Sequence, residues 1–259
     1  MANLPNNDTH SLESLIGVGS EIVGGVAGAA IGLLAAGPAG AVAGGAAGPL
    51  VTHTLRTLAV ELKQRILGHR EEVRASATIA YAALKIQENI AFGQQIRQDG
   101  FFEDQPDNRS TAEEIFEGVL LIAQREYQEK KLKFYGNLLA NIAFRPDIDR
   151  DLANAVVREA ENMTYRQMCL ISLCIRKEEF SKWTEGNWYP VTRDDPRKAS
   201  LEADANILHE RNILGGLQSS DGYYGVFVLG RLLDDLMALK DIDKEDLERV
   251  KATLLGIKT

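Results

Sequence analysis

The chain has 259 residues, of which 45% are hydrophobic and 25% charged, so its composition is that of a globular protein and excludes wholesale disorder. Twenty-nine Lys and Arg against 37 Asp and Glu give a net charge of −8, the wrong sign for a protein that coats nucleic acid non-specifically. The two cysteines, Cys169 and Cys174, are too few for a disulfide scaffold or a four-ligand zinc site. These values predict an intracellular protein.

The N-terminal segment is uncharged over a long stretch. From Ile22 to Leu55 there are 34 residues without Asp, Glu, Lys or Arg, which exceeds the roughly 20 needed to span a bilayer. The residues before Ile22 hold no Lys or Arg, so the basic region of a secretory signal peptide is missing. Nineteen of the 34 residues are Gly or Ala, which makes the insertion free energy marginal. Because Pro38 interrupts this stretch, the alternatives are a single span kinked at the proline and a hairpin that turns there.

Small residues recur at every fourth position of this segment. They are Ser20, Gly24, Gly28, Gly32, Ala36, Gly40, Gly44 and Gly48. On a helix this period forms a groove without side chains, through which transmembrane helices make close backbone contact. The pattern resembles the glycine zipper of oligomerising membrane proteins. We therefore expect residues 1–52 to form a membrane segment whose partners are the lipid bilayer and further copies of the chain. A flexible linker and a soluble helix packed inside an oligomer are the alternatives.

Residues 53–162 predict a bundle of helices. Apolar side chains recur at helical spacing, and Ser110 with Glu113 forms a capping box. The predicted helices cover residues 70–99, 111–144 and 149–162. The buried candidates in them include Phe92, Tyr127, Phe134 and Tyr135.

The charged residues along the third helix are interpreted as its solvated face. They are Arg125, Glu126, Glu129, Lys130, Lys131 and Lys133.

One segment of the bundle resembles a known family. The aromatic-x-Asn-Leu-Leu-Ala pattern is followed by a helix and then by a Thr-x-x-Gln helix start, at Tyr135, Asn137, Leu138, Leu139, Ala140, Thr164 and Gln167. This arrangement is similar to bacterial Abi-alpha-type proteins, which are associated with abortive phage infection. The resemblance implies a bacterial chain with a role in antiviral defence, and it supplies no catalytic residues.

Residues 163–259 resemble a winged helix. Thr164 with Gln167 caps a predicted helix to about Phe180, and a second helix covers about 200–213. Two short strand candidates follow, Leu217–Ser219 and Tyr224–Leu229, separated by a turn at Ser220-Asp221-Gly222. The last two predicted helices cover 230–239 and 244–255. The predicted fold is therefore mainly α: the membrane segment, the helical bundle, and a winged-helix-like module with a small β-hairpin.

A winged helix reads DNA through its second helix, where this chain offers His209 and Arg211 as the candidate contacts. Several acidic residues share that helix, whereas DNA binding needs a basic face. Nucleic acid is therefore the disfavoured partner. A module that binds protein or drives oligomerisation is favoured.

The sequence holds no pattern for known catalytic chemistry. It lacks a phosphate-binding loop of the Gly-x-x-x-x-Gly-Lys type and a Gly-x-Ser-x-Gly nucleophile elbow, and its four histidines are scattered. Adjacent carboxylates, such as Asp234-Asp235, are interpreted as solvated. We expect a non-enzyme without cofactor or metal.

Two functions follow from the sequence. The first is an oligomerising effector that disrupts membranes in phage defence, resident in the bacterial inner membrane or recruited there from the cytoplasm. The second is a winged-helix DNA-binding regulator with a Gly-rich oligomerisation arm.

Overall fold

A computed structural model describes residues 51, 53–55, 57–58, 61, 68–103, 109–180, 195–217 and 224–254. These residues are mainly helical with a small two-stranded antiparallel sheet, so this part of the predicted fold class is confirmed. The chain divides into two compact units, Met1–Glu161 and Asn162–Thr259.

The N-terminal unit is built on one central helix. Its helices are α1 (His69–Ala91), α2 (Thr111–Arg125), α3 (Leu132–Ile142) and α4 (Arg150–Asn162), with a 3-10 turn at Glu129–Lys131 before α3. Helix α1 packs against both α2 and α3. The described residues from 51 to 61 are also helical, and Leu55 and Leu58 among them are buried.

Helices α1 and α3 touch through their backbones at Gly136. A Cβ atom at this glycine would lie 2.5 Å from Cβ of Tyr81, 2.8 Å from the carbonyl oxygen of Thr78 and 2.9 Å from the nitrogen of Ala82. Real Cβ atoms do not approach other atoms so closely, so only glycine fits at this crossing. Thr78 and Ala82 are themselves completely buried, which places the crossing inside the core.

The predicted helix over 111–144 is wrong, because the structure divides it into α2 and α3. The capping box at its start is confirmed, since the Ser110 hydroxyl accepts from the Glu113 N–H and the Glu113 carboxylate from the Ser110 N–H, both at 3.2 Å. Helix α2 nevertheless ends before Glu126, where the backbone is extended, with φ −71° and ψ 117°. The Glu126 carboxylate accepts the N–H of Gln128 at 2.8 Å and so closes the turn.

Two aromatic residues assigned to the core are exposed. Phe92 and Tyr127 each expose 77% of their surface. Phe92 is the first residue after α1 and Tyr127 is the second after α2, because both helices end earlier than the apolar spacing predicts. Helix α1 ends at Ala91 and not at Asp99, and Gly93 then takes a left-handed φ of 80°. Phe134 and Tyr135 are buried as predicted.

Arg97 joins two loops of the N-terminal unit. Its guanidinium donates to the carboxylate of Asp99 at 2.8 Å and to the carbonyl oxygen of Ile148 at 2.8 Å. It also lies 4.1 Å from the centre of the Phe101 ring, and the residue is almost fully buried. A buried guanidinium needs such partners, so Arg97 fixes the chain after α1 against the chain after α3.

The C-terminal unit has the predicted order of helices around a hairpin. Its elements are α5 (Tyr165–Ile175), α6 (Pro196–Glu210), β1 (Leu214–Leu217), β2 (Tyr224–Val226), α7 (Val228–Met237) and α8 (Lys244–Leu254), with 3-10 turns at Lys177–Glu179 and Leu239–Asp241. Helix α5 is central and contacts α6, α7, α8 and β2. The predicted cap of α5 is confirmed, since Thr164 accepts the N–H of Gln167 at 3.2 Å.

The first strand of the hairpin begins earlier than predicted, and the second strand is shorter than predicted. Leu214 pairs with Val226 and Leu217 with Tyr224, so β1 begins three residues before the predicted Leu217. Helix α7 begins at Val228, inside the second predicted strand. Helix α6 begins four residues before the predicted start, where Asp195 caps it by accepting the N–H of Arg197 at 2.9 Å.

In the part of the chain that the structure describes, none of the helices has both the length and the apolar character needed to cross a membrane. The prediction of a transmembrane helix is wrong for this part of the chain. The predicted glycine-zipper positions, from Ser20 to Gly48, lie outside the described residues.

The Gly136 contact predicts a strong effect of a single methyl group. We expect Gly136→Ala to lower the free energy of unfolding by about 1–3 kcal/mol, because the added Cβ overlaps the α1 backbone. Gly118→Ala in α2 is the matched control, since nothing lies within 4 Å of its Cβ position, and it should stabilise by about 0.5–1 kcal/mol through helix propensity. Urea denaturation followed by circular dichroism measures both. Equal effects of the two substitutions would contradict the proposed contact.

Candidate interaction surface of the C-terminal unit

The two residues predicted to contact DNA lie at the carboxyl end of α6. His209 is exposed, and its Nδ1 lies 3.1 Å from the carbonyl oxygen of Leu214. Arg211 caps the carboxyl end of the helix and is half-buried. Recognition helices contact bases mainly with residues near their amino ends. The structure therefore brings the two residues together, but at the end of the helix that is less suited to base contacts.

The exposed face of α6 is close to neutral. Its exposed residues are Pro196, Arg197, Ser200, Ala203, Asn206, Ile207, His209 and Glu210. Arg197 lies beside the Asp195 carboxylate, so its charge is partly compensated. A face with one arginine and one glutamate does not supply the positive potential that phosphate groups require.

Two further arginines of this unit serve internal contacts. Arg166 donates to Asp204 at 2.5 Å and to the Ser200 hydroxyl at 2.6 Å, which joins α5 to α6. Arg176 donates to the carbonyl oxygen of Ile242 at 2.7 Å and to the carboxylate of Glu179 at 2.8 Å. Both guanidinium groups therefore stabilise the fold.

An apolar surface lies where the hairpin meets α7. Phe227 exposes 44% of its surface and Val228 82%, although both are large hydrophobic residues. Arg231 and Asp235 are also exposed, and Leu232 is half-buried. We call these five residues the α7 surface. Large exposed hydrophobic residues with charged neighbours are typical of protein-binding sites.

Gly230 positions this surface by packing on the opposite side of α7. A Cβ atom at Gly230 would overlap the carbonyl oxygen of Ile213 and lie 2.9 Å from Cγ1 of Val226. The N–H of Phe227 donates to the same Ile213 carbonyl at 3.1 Å. The first turn of α7 is thus held tightly against the hairpin, and its other side faces solvent.

The most unusual polar cluster belongs to the N-terminal unit. Lys131 and Glu126 form an ion pair with Nζ 2.5 Å from Oε2, and the Tyr135 hydroxyl donates to the same Oε2 at 2.8 Å. All three residues are more than nine-tenths buried. The interpretation of Glu126 and Lys131 as part of a solvated face is therefore wrong, whereas Arg125, Glu129 and Lys130 are exposed.

The pKa values of this cluster follow from burial and mutual contact. Burial lowers the pKa of Lys131, which the neighbouring Glu126 opposes. Burial alone would raise the pKa of Glu126, but hydrogen bonds from Lys131, the Gln128 N–H and Tyr135 together hold it below its usual value. Burial raises the pKa of Tyr135, and the adjacent Glu126 carboxylate raises it further. The cluster is closed to solvent, so we assign it a structural role in bending the chain between α2 and α3.

Another buried carboxylate lies in α7. Asp234 is buried, so the interpretation of the Asp234-Asp235 pair as solvated is wrong for Asp234 and holds only for the exposed Asp235. Burial raises the pKa of Asp234 to about 6, and the Lys240 N–H, which donates to Asp234 at 2.9 Å, opposes part of this rise. The negative charges of Asp235 and Asp241 add to the increase.

Other site chemistry is sparse. Among the described residues, no three His, Cys, Asp or Glu side chains are grouped in a way that would hold a metal ion. Cys169 and Cys174 are both buried as free thiols on α5.

Comparison with known proteins gives no relative: no protein family matches the chain, and neither a curated protein nor a solved structure is significantly similar to it. An antiviral role therefore has no support from relatives. The residues that resemble Abi-alpha-type proteins are mostly core residues, since Tyr135, Leu138, Leu139 and Ala140 are completely buried.

Sequence reasoning missed the α7 surface because Val228 was assigned to a strand. The available signal was the Gly230 that follows, since a glycine inside an apolar helical pattern indicates close backbone approach on one side.

Breaking the buried ion pair between Lys131 and Glu126 should lower the stability of the fold. We expect Lys131→Met to lower the free energy of unfolding by about 3–5 kcal/mol, because it leaves the Glu126 carboxylate buried without its cation. The double variant Glu126→Gln/Lys131→Met should recover much of this loss, since no charge then remains buried. Lys130→Met, at an exposed neighbour, serves as the control and should stay within about 0.5 kcal/mol of the wild type. A loss in the double variant as large as in the single one would contradict this account.

Asp234 should make the stability of the C-terminal unit depend on pH. Between about pH 4 and pH 6 the folded chain holds a proton on Asp234 that the unfolded chain has released, so this group's contribution to stability falls as pH rises through that window. We expect Asp234→Asn to stabilise the unit by about 1 kcal/mol at pH 7.5 and to have little effect at pH 4. Urea denaturation of the full chain at the two pH values, followed by circular dichroism, measures the difference between the variant and the wild type.

The exposed Glu248 provides the control for this experiment. Glu248→Gln removes one carboxylate from α8 without removing a buried charge. The same pH-dependent gain in Glu248→Gln would show that the effect comes from overall charge and not from burial of Asp234.

Proposed function

We propose that residues 162–259 form a winged-helix-like module that binds protein through the α7 surface. The order helix, helix, hairpin, helix supports the winged-helix-like description. The observation that carries the proposal is the exposure of Phe227 and Val228 side by side, at 44% and 82%, whereas the other large apolar residues that the structure describes in this unit are mostly buried.

Burying these two side chains would supply a useful binding free energy. Complete burial of a valine or phenylalanine side chain contributes about 1.5–3 kcal/mol relative to leaving it exposed. The Phe227 ring packs over Gly215, where an added Cβ atom would lie 3.3 Å from two of the ring carbons, so the ring is already partly ordered in the free chain. A partner therefore meets an aromatic side chain that loses little conformational freedom on binding.

The charge of the unit supports protein over nucleic acid as the partner. The exposed face of α6 is near neutral, and Arg166 and Arg176 are bound to carboxylates within the unit. Duplex binding requires several free cations on one face. The α7 surface offers one arginine, Arg231, beside one aspartate, Asp235.

The remaining functional expectations stay predictions. The oligomerising effector depends on residues 1–52, almost all of which lie outside the described residues.

Site-specific photocrosslinking tests the proposal in cells. A benzophenone amino acid replaces Val228 in the full chain, and a second version carries it at Glu248, which is exposed on α8 and serves as the control position. We expect protein adducts at position 228 that are at least tenfold more abundant than those at position 248, because only the α7 surface buries its side chains in a complex. Mass spectrometry of the adducts identifies the bound chain.

Two outcomes would contradict the proposal. One is an equal adduct yield at both positions, which indicates random encounters. The other is salt-sensitive binding of duplex DNA by the full chain that Arg211→Ala weakens, which would favour the DNA-binding alternative.

A further inference from the structure

The turn between α7 and α8 contains a backbone conformation that costs free energy. Ala238, the first residue after α7, takes a left-handed φ of 54° and ψ of 49° and is almost completely buried. Residues other than glycine adopt this conformation rarely, because their Cβ atom then crowds the backbone carbonyl. Such a conformation persists where the surrounding contacts outweigh its cost. We call residues 238–242 the α7–α8 turn, and its stability depends on the contacts around it.

Three side chains hold the α7–α8 turn by hydrogen bonds to its backbone. The Ser172 hydroxyl donates to one carbonyl oxygen of the turn at 2.8 Å, and the Arg176 guanidinium donates to two more at 2.7 and 3.0 Å. From α7, the Asp234 carboxylate accepts the N–H of Lys240 at 2.9 Å. The turn is therefore fixed by α5 and its carboxyl end on one side and by α7 on the other.

Asp234 is the member of this set whose charge changes near neutral pH. Its burial, together with the negative charges of Asp235 and Asp241, raises the pKa of Asp234 to about 6. The N–H and the ammonium group of Lys240 oppose part of this rise. At pH 7 the closed turn thus holds a buried carboxylate whose protonated form fits its surroundings better.

The cation that faces Asp234 from the end of α5 is already paired. Arg176 interacts with the charge of Asp234, but its guanidinium also forms two hydrogen bonds with the Glu179 carboxylate, at 2.7 and 2.8 Å. This bidentate pair compensates most of the arginine charge. Arg176 therefore holds the turn through its carbonyl oxygens and does not neutralise Asp234.

We infer that the α7–α8 turn is a proton-controlled clamp, which is closed while Asp234 carries a proton and opens locally more often once Asp234 has lost it. A protonated carboxyl group still accepts the N–H of Lys240 through its carbonyl oxygen, so protonation keeps the clamp intact. Opening exposes the group to water, where the charged form is favoured. The inference is independent of the proposed protein-binding function, because it uses only contacts within the C-terminal unit.

Hydrogen exchange of the full chain measures how often the turn opens. Four backbone N–H groups of the turn are hydrogen-bonded and exchange when these bonds break, namely those of Ala238, Lys240, Asp241 and Ile242. Dividing each exchange rate by the rate of an unstructured peptide at the same pH gives the opening equilibrium. We expect this equilibrium to rise about tenfold between about pH 5 and pH 7.5, because the pKa of Asp234 returns from about 6 to its usual 3.8 in the open turn.

Two variants show whether Asp234 is the group responsible. Asp234→Asn should remove the pH dependence, because the amide releases no proton while its oxygen can still accept the N–H of Lys240. Glu248→Gln removes an exposed carboxylate from α8 and should keep the tenfold rise. An opening equilibrium that does not change with pH, or a rise that Asp234→Asn retains, would overturn proton control of the clamp.

Urea separates local opening from unfolding of the whole unit. Local opening exposes little surface, so exchange through it responds weakly to urea, whereas global unfolding exposes the core and responds strongly. We expect the turn to exchange roughly tenfold or more faster than Leu170 and Leu173, which are completely buried in α5, and to respond less to urea below denaturing concentrations. Exchange of the turn at the α5 rate with the same urea dependence would show that the turn opens only when the unit unfolds, and would overturn the clamp.

Discussion

Contact between backbones at a glycine organises each unit of this protein. In the N-terminal unit Gly136 lets α3 lie directly on α1 at Thr78 and Ala82, and in the C-terminal unit Gly230 lets α7 lie on the carbonyl of Ile213. Any side chain at either position would force the two elements apart. The other contacts of each core depend on the short distance between the two elements at the glycine, because a close-packed core has no space for a displaced helix.

Buried charge shapes the chain around these contacts. The Lys131–Glu126 pair and the Tyr135 hydroxyl close the bend between α2 and α3, and Arg97 joins the loops that follow α1 and α3. Groups of this kind are costly to bury unless every partner is present, so they favour one arrangement of the chain over its alternatives. In the C-terminal unit Arg166 and Arg176 act in the same way, because each donates to partners within the unit.

The α7 surface is a consequence of the Gly230 contact. Because that glycine faces inward, helical geometry directs Val228, Arg231 and Asp235 outward together. Apolar residues that would otherwise join the core are thereby exposed beside two opposite charges. The same local arrangement that holds α7 to the hairpin thus creates the exposed α7 surface.

The sequence by itself determined the mainly helical fold, the small hairpin and the helix starts at Ser110 and Thr164, because periodicity and capping act within a few residues. The sequence pattern wrongly predicted that Phe92 and Tyr127 lie in the core and that one helix continues past Glu126. It also wrongly predicted that Lys131 and Asp234 are solvated. Only the tertiary structure decided these positions. Their burial depends on partners that other turns and helices supply, and no local pattern records whether a charged side chain will meet them.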